Sequence, residues 1–417
     1  MRAAPNDATR AAIDWLLSPD AVRARGRQML GLCEAGKLRH FAYDGSKLAS
    51  TVALVLDTMR ANYPTLEIPF HSRWRHFTVG GRDRWAELEK SLESASRDEI
   101  ARIRFDLAVV SVLLDAGTGG AWSYRGADGA TYGRSEGLAV ASFEGFAGGL
   151  FSGARAAPLR ADAAGLKSLS AARLADAMQV TPSNPLAGLE GRASLLRNLG
   201  SALEAHPELF GTPARIGNLF DALKRRARGD ALPAPAILAA LLHGLGSIWP
   251  GRERLDGVDL GDTWRHGAIR AETGEDPATG GLVPFHKLSQ WLAYSLIEPL
   301  EAAGVAVVEI DRLTGLAEYR NGGLMIDAGL IVAREPALLR RALKPGDEAV
   351  VEWRALTVAL LDRIAEALRM RLGLDAASLP LARVLEGGTW AAGRALARTR
   401  RADGGPPLAI ESDGTVF

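Results

Sequence analysis

Segment after segment of this 417-residue chain carries apolar residues at helical spacing, while strict strand-like alternation is rare. Such a chain must bury helix against helix. Ser18-Pro19-Asp20 precedes one helical pattern, in Val22, Met29, Leu30 and Cys33, with the residue order of a helix start. Residues 49–59 form a second, stopped near Pro64, and residues 100–114 a more apolar third that runs into a glycine-rich turn from Asp115 to Trp122. Helices are further expected over 133–151, 166–178, 189–203, 216–228 and 282–300, and Pro233 and Pro235 open another through Leu245. Strands are expected only in short runs at 304–310, 324–332 and 349–353, the last leading into a long helix to Leu372. No alternation of strand with helix supports a doubly wound sheet. The fold class is mainly α with a few short β-strands. Residues 249–281 read as one long irregular stretch, which in a compact chain tends to be functional or mobile.

Composition narrows the partners. Hydrophobic residues make up 47% and charged residues 24% of the chain, a globular balance. Lys+Arg at 50 against Asp+Glu at 49 gives a net charge of +1, which argues against a nucleic-acid partner held by its phosphates. The first ten residues are polar and offer no signal core. No apolar run reaches the ~20 residues that span a bilayer, and residues 236–245 are cut by His243 and Gly244, so no membrane partner is expected. A lone Cys33 forms no intrachain disulfide and fits a cytoplasmic location. The seven histidines show no metal-ligand spacing, so neither a metal nor a cofactor is expected. Oligomeric state stays open.

The common nucleotide, phosphate and metalloprotease signatures are absent. Gly133-Arg-Ser-Glu-Gly137 has the shape of a nucleophile elbow, but a turn rather than a strand is expected before it, so a serine hydrolase is disfavoured. Five constellations remain. Asp115 and Trp122 flank the glycine turn, where backbone can approach a ligand and an indole can wall a planar group; a turn cap and a core indole are the simpler reading of the residues alone. In Phe285-His-Lys-Leu-Ser-Gln-Trp291, the pairs His286/Gln290 and Lys287/Trp291 fall four apart on an expected helix, and a buried Lys287 needs a partner unless it snorkels. Glu318 stands beside Tyr319 and Arg320, a pattern that also suits an ordinary ion pair. Glu352 and Arg354 alternate with apolar residues, as on a strand edge. Asp262, Trp264, Arg265 and His266 lie inside the long stretch and suit either a ligand-closing lid or a solvated loop.

These strings together resemble a known family. RSEGLAVASF (134–143), GDTWRH (261–266), LVPFHKLSQWLAYSLIEPL (282–300), LTGLAEYRNGGL (313–324), VEWRALTV (351–358), LEGGTWAAGR (385–394) and SDGTVF (412–417) look like the uracil-catabolism pathway protein four family of microbial pyrimidine degradation. A more distant similarity is to the queuosine-5′-phosphate N-glycosidases, which are related in fold to helix-hairpin-helix DNA glycosylases. That family has an Asp followed seven residues on by Trp, a Phe-x-Lys-x-x-Gln helix, a Leu-Thr-x-x-Ala-Asp-Tyr-Arg segment and a looser Glu-x-x-Arg match. Here these fall on Asp115 and Trp122, on Phe285, Lys287 and Gln290, on residues 313–320, and on Glu352 with Arg354. The Asp before Tyr-Arg is Glu318 here, longer by one methylene.

The resemblance implies a DNA-glycosylase-like helical fold, with an N-terminal helical region over 1–98, a glycosidase-like core over 99–401 and a tail over 402–417; the tail is polar, but its apolar end, Val416-Phe417, suits docking. It implies an N-glycosidase cleaving the ribose–nitrogen bond of a ribosylurea, with or without a 5-phosphate, to urea and ribose. Glu318 would stabilise the cationic sugar, as base or as nucleophile, and Lys287 would hold a carboxylate ionised. Asp115 would hold ribose hydroxyls and Trp122 wall the leaving group. His286, His266 or Asp262 would donate to the departing nitrogen, and Arg320, Arg354 or the Arg73/Arg75 segment would meet phosphate. Tyr319, Gln290, Trp264 and Glu352 complete the expected binding residues. A metabolite-binding regulator without turnover and a ureido amidohydrolase are the alternatives.

Overall fold

In a computed structural model of the protein, residues 7–249, 253–273 and 279–411 are described. The chain is mainly helical and divides into two compact units, each drawn from separated stretches. The first comprises the described residues of Met1–His71, Gly251–Gln290 and Glu309–Glu411, and the second those of Ser72–Pro250 and Trp291–Val308. These divisions do not follow the expected boundaries at residues 98 and 401. Among the described residues no helix is long and apolar enough to cross a membrane.

The first unit is organised around the helix Glu348–Leu372, whose residues from Ala349 to Leu361 are all buried. Pro19–Glu34, capped by the Ser18 hydroxyl as its sequence foretells, lies against it. Gly26 permits that approach, since a Cβ there would stand 3.2 Å from the Ala355 carbonyl oxygen, and Arg23 pairs with Asp362 at 2.9 Å. Tyr319–Asp327 packs on Trp390–Arg400, where a Cβ on Gly393 would overlap the Arg320 carbonyl. Small two-stranded pairings join distant stretches: Phe41–Tyr43 antiparallel to Ile331–Ala333, Thr263–Arg265 antiparallel to Leu282–Pro284, and Ala342–Leu343 parallel to Ala409–Ile410. The last pairing docks the tail as far as it is described; Val416-Phe417 lies outside the described residues.

The second unit packs Arg97–Leu113 against Arg134–Ala147 and Asn218–Arg226, and Leu189–Ala205 against Ala163–Lys167. Asp106 is fully buried there, accepting from Arg215 Nε and the Gly217 N–H, both at 2.7 Å. Ala231–Pro233 pairs in parallel with Ala306–Val308, the strand expected within 304–310.

Several expected elements differ. The helix placed over 282–300 opens instead with the strand Leu282–Pro284 and becomes helical only at Lys287–Ala302. Pro284 biases Val283 to extended backbone, and the Asp262 carbonyl then takes the N–H groups of Phe285 and His286, with His286 at φ +50°. His286 is therefore outside the helix that was to pair it with Gln290. The strand expected at 349–353 is the first turn and a half of the long helix: burial on every side erases the amphipathic stripe and leaves Val350 and Val351 reading as strand. Residues 324–332 finish the helix Tyr319–Asp327 before the strand Ile331–Ala333 begins. The helix over 166–178 is broken in two, with Ser170 capping Ala171–Ala177. The long stretch 249–281, where described, is built from short strands and the helix Gly267–Thr273.

Candidate functional site

Glu318 ends the loop before Tyr319–Asp327 and caps that helix. Its two carboxylate oxygens accept from the Arg320 N–H at 2.7 Å and the Asn321 N–H at 2.6 Å. The side chain is only 6% exposed. Burial pushes its carboxyl above the usual range, against the two backbone donors, the Lys287 ammonium and the His71 ring, all of which favour the charged form. A rigidly aimed, under-solvated carboxylate at the positive end of a helix results.

The elements around it are fixed by a second carboxylate. Asp262 receives both arms of the Arg354 fork, at 2.9 and 2.6 Å, the Trp264 indole N–H at 2.6 Å and the Lys287 backbone N–H at 3.1 Å. Arg354 also donates from Nε to the Ala317 carbonyl at 3.3 Å and stacks over Phe285 at 4.0 Å. One buried ion pair thus orients the start of the Lys287 helix and the peptide just before Glu318. The stretch expected to be a lid or a solvated loop is instead this frame. With four N–H groups converging on it, Asp262 is an acceptor and does not serve as the proton donor expected of it.

His286 and His266 are likewise committed. His286 is fully buried and donates from Nε2 to the Leu16 carbonyl at 2.8 Å, and burial lowers its pKa despite that bond. His266 Nδ1 accepts the Ala268 N–H at 3.2 Å, which leaves the ring proton on Nε2, 3.4 Å from Glu352 Oε2. Glu352 Oε1 takes the N–H groups of His40 and Phe41 at 3.1 and 2.7 Å. Glu352 therefore anchors the strand Phe41–Tyr43, while His266 is held by the Ala268 N–H. Arg320 donates to the Gly404 carbonyl at 2.8 Å, and its guanidinium lies 5.0 Å from the Tyr319 ring.

Gln290 is fully buried, and its Oε1 accepts the Thr314 N–H at 3.3 Å. Its Nε2 and the Asn321 Oδ1 have no hydrogen-bond partner among the described residues, nor does Thr389 Oγ1. Buried polar atoms of this kind are rare in folded proteins and call for a ligand or another partner.

Asp115 and Trp122 belong to the second unit. Asp115 accepts from Arg73 at 3.0 Å and from the Ser135 hydroxyl at 3.1 Å. Trp122 is buried, donates its N–H to the Met178 carbonyl at 2.9 Å and packs on Gly137. Both thus carry internal structure. Arg73 is fully buried, bonded also to Ser111 and set 5.5 Å from the Trp291 ring, while Arg75 pairs with Glu298. A strand, Thr131–Gly133, does precede Ser135, contrary to expectation, yet the Ser135 hydroxyl donates to a carboxylate rather than to a histidine base.

The sequence reading missed a histidine–carboxylate pair. His71 Nδ1 lies 2.7 Å from Glu386 Oε2, with the Trp390 ring 6.1 Å away. Glu386 sits in the π-helical turn Leu385–Thr389, which leads into the helix Trp390–Arg400 pressed on the Arg320 backbone. Glu386 lies in LEGGTWAAGR and His71 just before the Arg73/Arg75 segment, but nothing in either string pairs one with the other across 315 positions.

Comparisons with known proteins give the chain's ancestry. The chain is 39% identical to Protein urg3 of Schizosaccharomyces pombe (strain 972 / ATCC 24843) over 410 residues, covering 96% of this chain and 98% of that protein. It is 37% identical to Uracil catabolism protein 4 of Lachancea kluyveri over 436 residues, covering 97% and 99%. The profile of the family described as "Protein of unknown function (DUF1688)" matches residues 15–417, and the chain belongs to that family.

Proposed function

We propose that the protein acts in uracil catabolism as an N-glycosidase, hydrolysing the bond between ribose C1′ and the ureido nitrogen of a ribosylurea, with or without a 5-phosphate. The observation that carries this reading is Glu318, a buried carboxylate whose two oxygens are pinned by backbone N–H groups under the influence of Lys287 and His71. The name of the Lachancea kluyveri relative supports the pathway. As C1′–N breaks, the bonding pair leaves with nitrogen and positive charge grows on the sugar. A carboxylate about 4 Å away stabilises that charge by about 4 kcal/mol at an effective dielectric of about 20. Because both oxygens are held by donors, we assign Glu318 to electrostatic stabilisation and not to covalent attack.

Water adds to C1′ and supplies the sugar hydroxyl, while the departing nitrogen takes a proton, so ribosylurea and water give ribose and urea. His71, oriented by Glu386, is our choice of proton donor. Gln290 Nε2 and Asn321 Oδ1 have the polarity to meet sugar hydroxyls. Incubation with ribosylurea, with and without 5-phosphate, should yield free sugar and urea in equal amounts. A Glu318→Gln variant should turn over about a thousandfold more slowly, the rate equivalent of about 4 kcal/mol. Ammonia released before free sugar, or binding with no turnover of either compound, overturns the reading.

A further inference from the structure

A second cluster lies in the second unit and has no part in the proposed reaction. His206 precedes the short helix Pro207–Phe210, Glu208 stands on it, and His243 occupies the last turn of Ala234–Leu245. One ligand-capable atom from each lies within 4.8 Å of the other two. We propose that His206, Glu208 and His243 form a binding site for a divalent transition-metal ion of the zinc class.

The geometry is that of a coordination edge. Zinc bonds to imidazole nitrogen and carboxylate oxygen measure about 2.0–2.1 Å, so neighbouring ligand atoms in a tetrahedral site stand about 3.3–3.4 Å apart. Here His206 Nδ1 and His243 Nε2 lie 3.0 and 3.5 Å from the same Glu208 oxygen, bracketing that value. The imidazoles meet at 65° with centroids 5.0 Å apart, as two rings turned toward a common point can. The set of two imidazoles and one carboxylate selects borderline ions over magnesium or calcium, and three protein ligands leave a position for water.

The backbone beneath the cluster is set by the core. Leu209 and Phe210 are buried, and a Cβ on Gly244 would stand 2.7 Å from Leu209 Cδ1 and 3.0 Å from Phe210 Cε2. Asn218 further ties the Phe210 carbonyl at 2.7 Å. The ion would therefore meet ligands whose helices are already in register, and it would cross-link them. The chain's one thiol does not compete: Cys33 is buried, which pushes it up to about 11. No local spacing announces the set, because the third ligand lies 35 positions beyond the second.

The test uses full-length, chelator-stripped protein titrated with zinc chloride by calorimetry, with thermal unfolding in parallel. One zinc ion should bind per chain and raise the unfolding temperature, and magnesium should do neither. His243→Ala, at an exposed ring, should match the parent's metal-free unfolding temperature, and both it and His206→Ala, at a half-buried ring, should bind zinc about tenfold more weakly or worse. Zinc affinity unchanged in both variants, or no saturable site at one equivalent, overturns the proposal.

Discussion

Glu318 answers two demands with one side chain, since the same oxygens that close a helix start are those assigned to face the sugar cation. If only the ionised form is active, the acid limb of the pH–rate profile should have its midpoint above about 4.3, the value of an unperturbed Glu, because burial raises this carboxyl. A limb at or below the ordinary value would remove Glu318 from its role. His286 gives a residue-level prediction for stability. Its ring is buried and its folded-state pKa lies below the unfolded value, so the folded chain binds fewer protons than the unfolded one as pH falls. Stability from this group is present above about 6.5 and lost as pH drops beneath it. Urea midpoints measured at pH 7.5 and 5.5 should show that loss, and His286→Gln, which keeps a donor but no titratable ring, should flatten it. At this scale the sequence was informative about identity and poor about role. The resemblance singled out Glu318 and Lys287 in separate segments, whereas the side chains of His286 and Glu352 bond backbone, because a buried polar side chain looks the same in a string whether it binds ligand or backbone.

Among the elements, the Arg354–Asp262 pair has the widest reach, tying the helix Glu348–Leu372 to the start of Lys287–Ala302 and to the Ala317 peptide. Arg354→Met keeps the bulk but leaves Asp262 as a buried charge without its fork. The expected cost is about 3–5 kcal/mol, read as a lower denaturant midpoint, with turnover falling as Glu318 loses its aim. An unchanged midpoint would show the pair to be dispensable. Element existence was legible where a helix keeps one wet face: Pro19–Glu34, Leu48–Asn62 and Leu189–Ala205 all lie where periodicity puts them. It failed where burial is complete, as over 349–353, and where pairing is non-local. The strand Leu282–Pro284 exists because Thr263–Arg265 runs beside it, a partner that no window of contiguous residues contains.

For the whole molecule, the division into two units of interleaved ancestry in the chain decides what can be cut. The helices Pro19–Glu34 and Leu48–Asn62 belong with residues from 309 onward, not with the stretch that follows them. A fragment beginning at residue 99 should therefore fail to give the helical far-ultraviolet circular dichroism per residue of the full chain. A fragment that folds cooperatively alone would refute this. The sequence showed that the molecule is helical but not this interleaving, since which helices share a core depends on shapes that periodicity does not encode.

Synthesis on the ribosome inherits the same arrangement. Pro19–Glu34 emerges early, yet the helix it lies against ends at Leu372, so translation at about 5–20 residues per second keeps the first waiting tens of seconds for the second. During that interval Val22, Met29 and Leu30 have no final neighbour from that helix, which makes the nascent chain a client for chaperones long before it is complete.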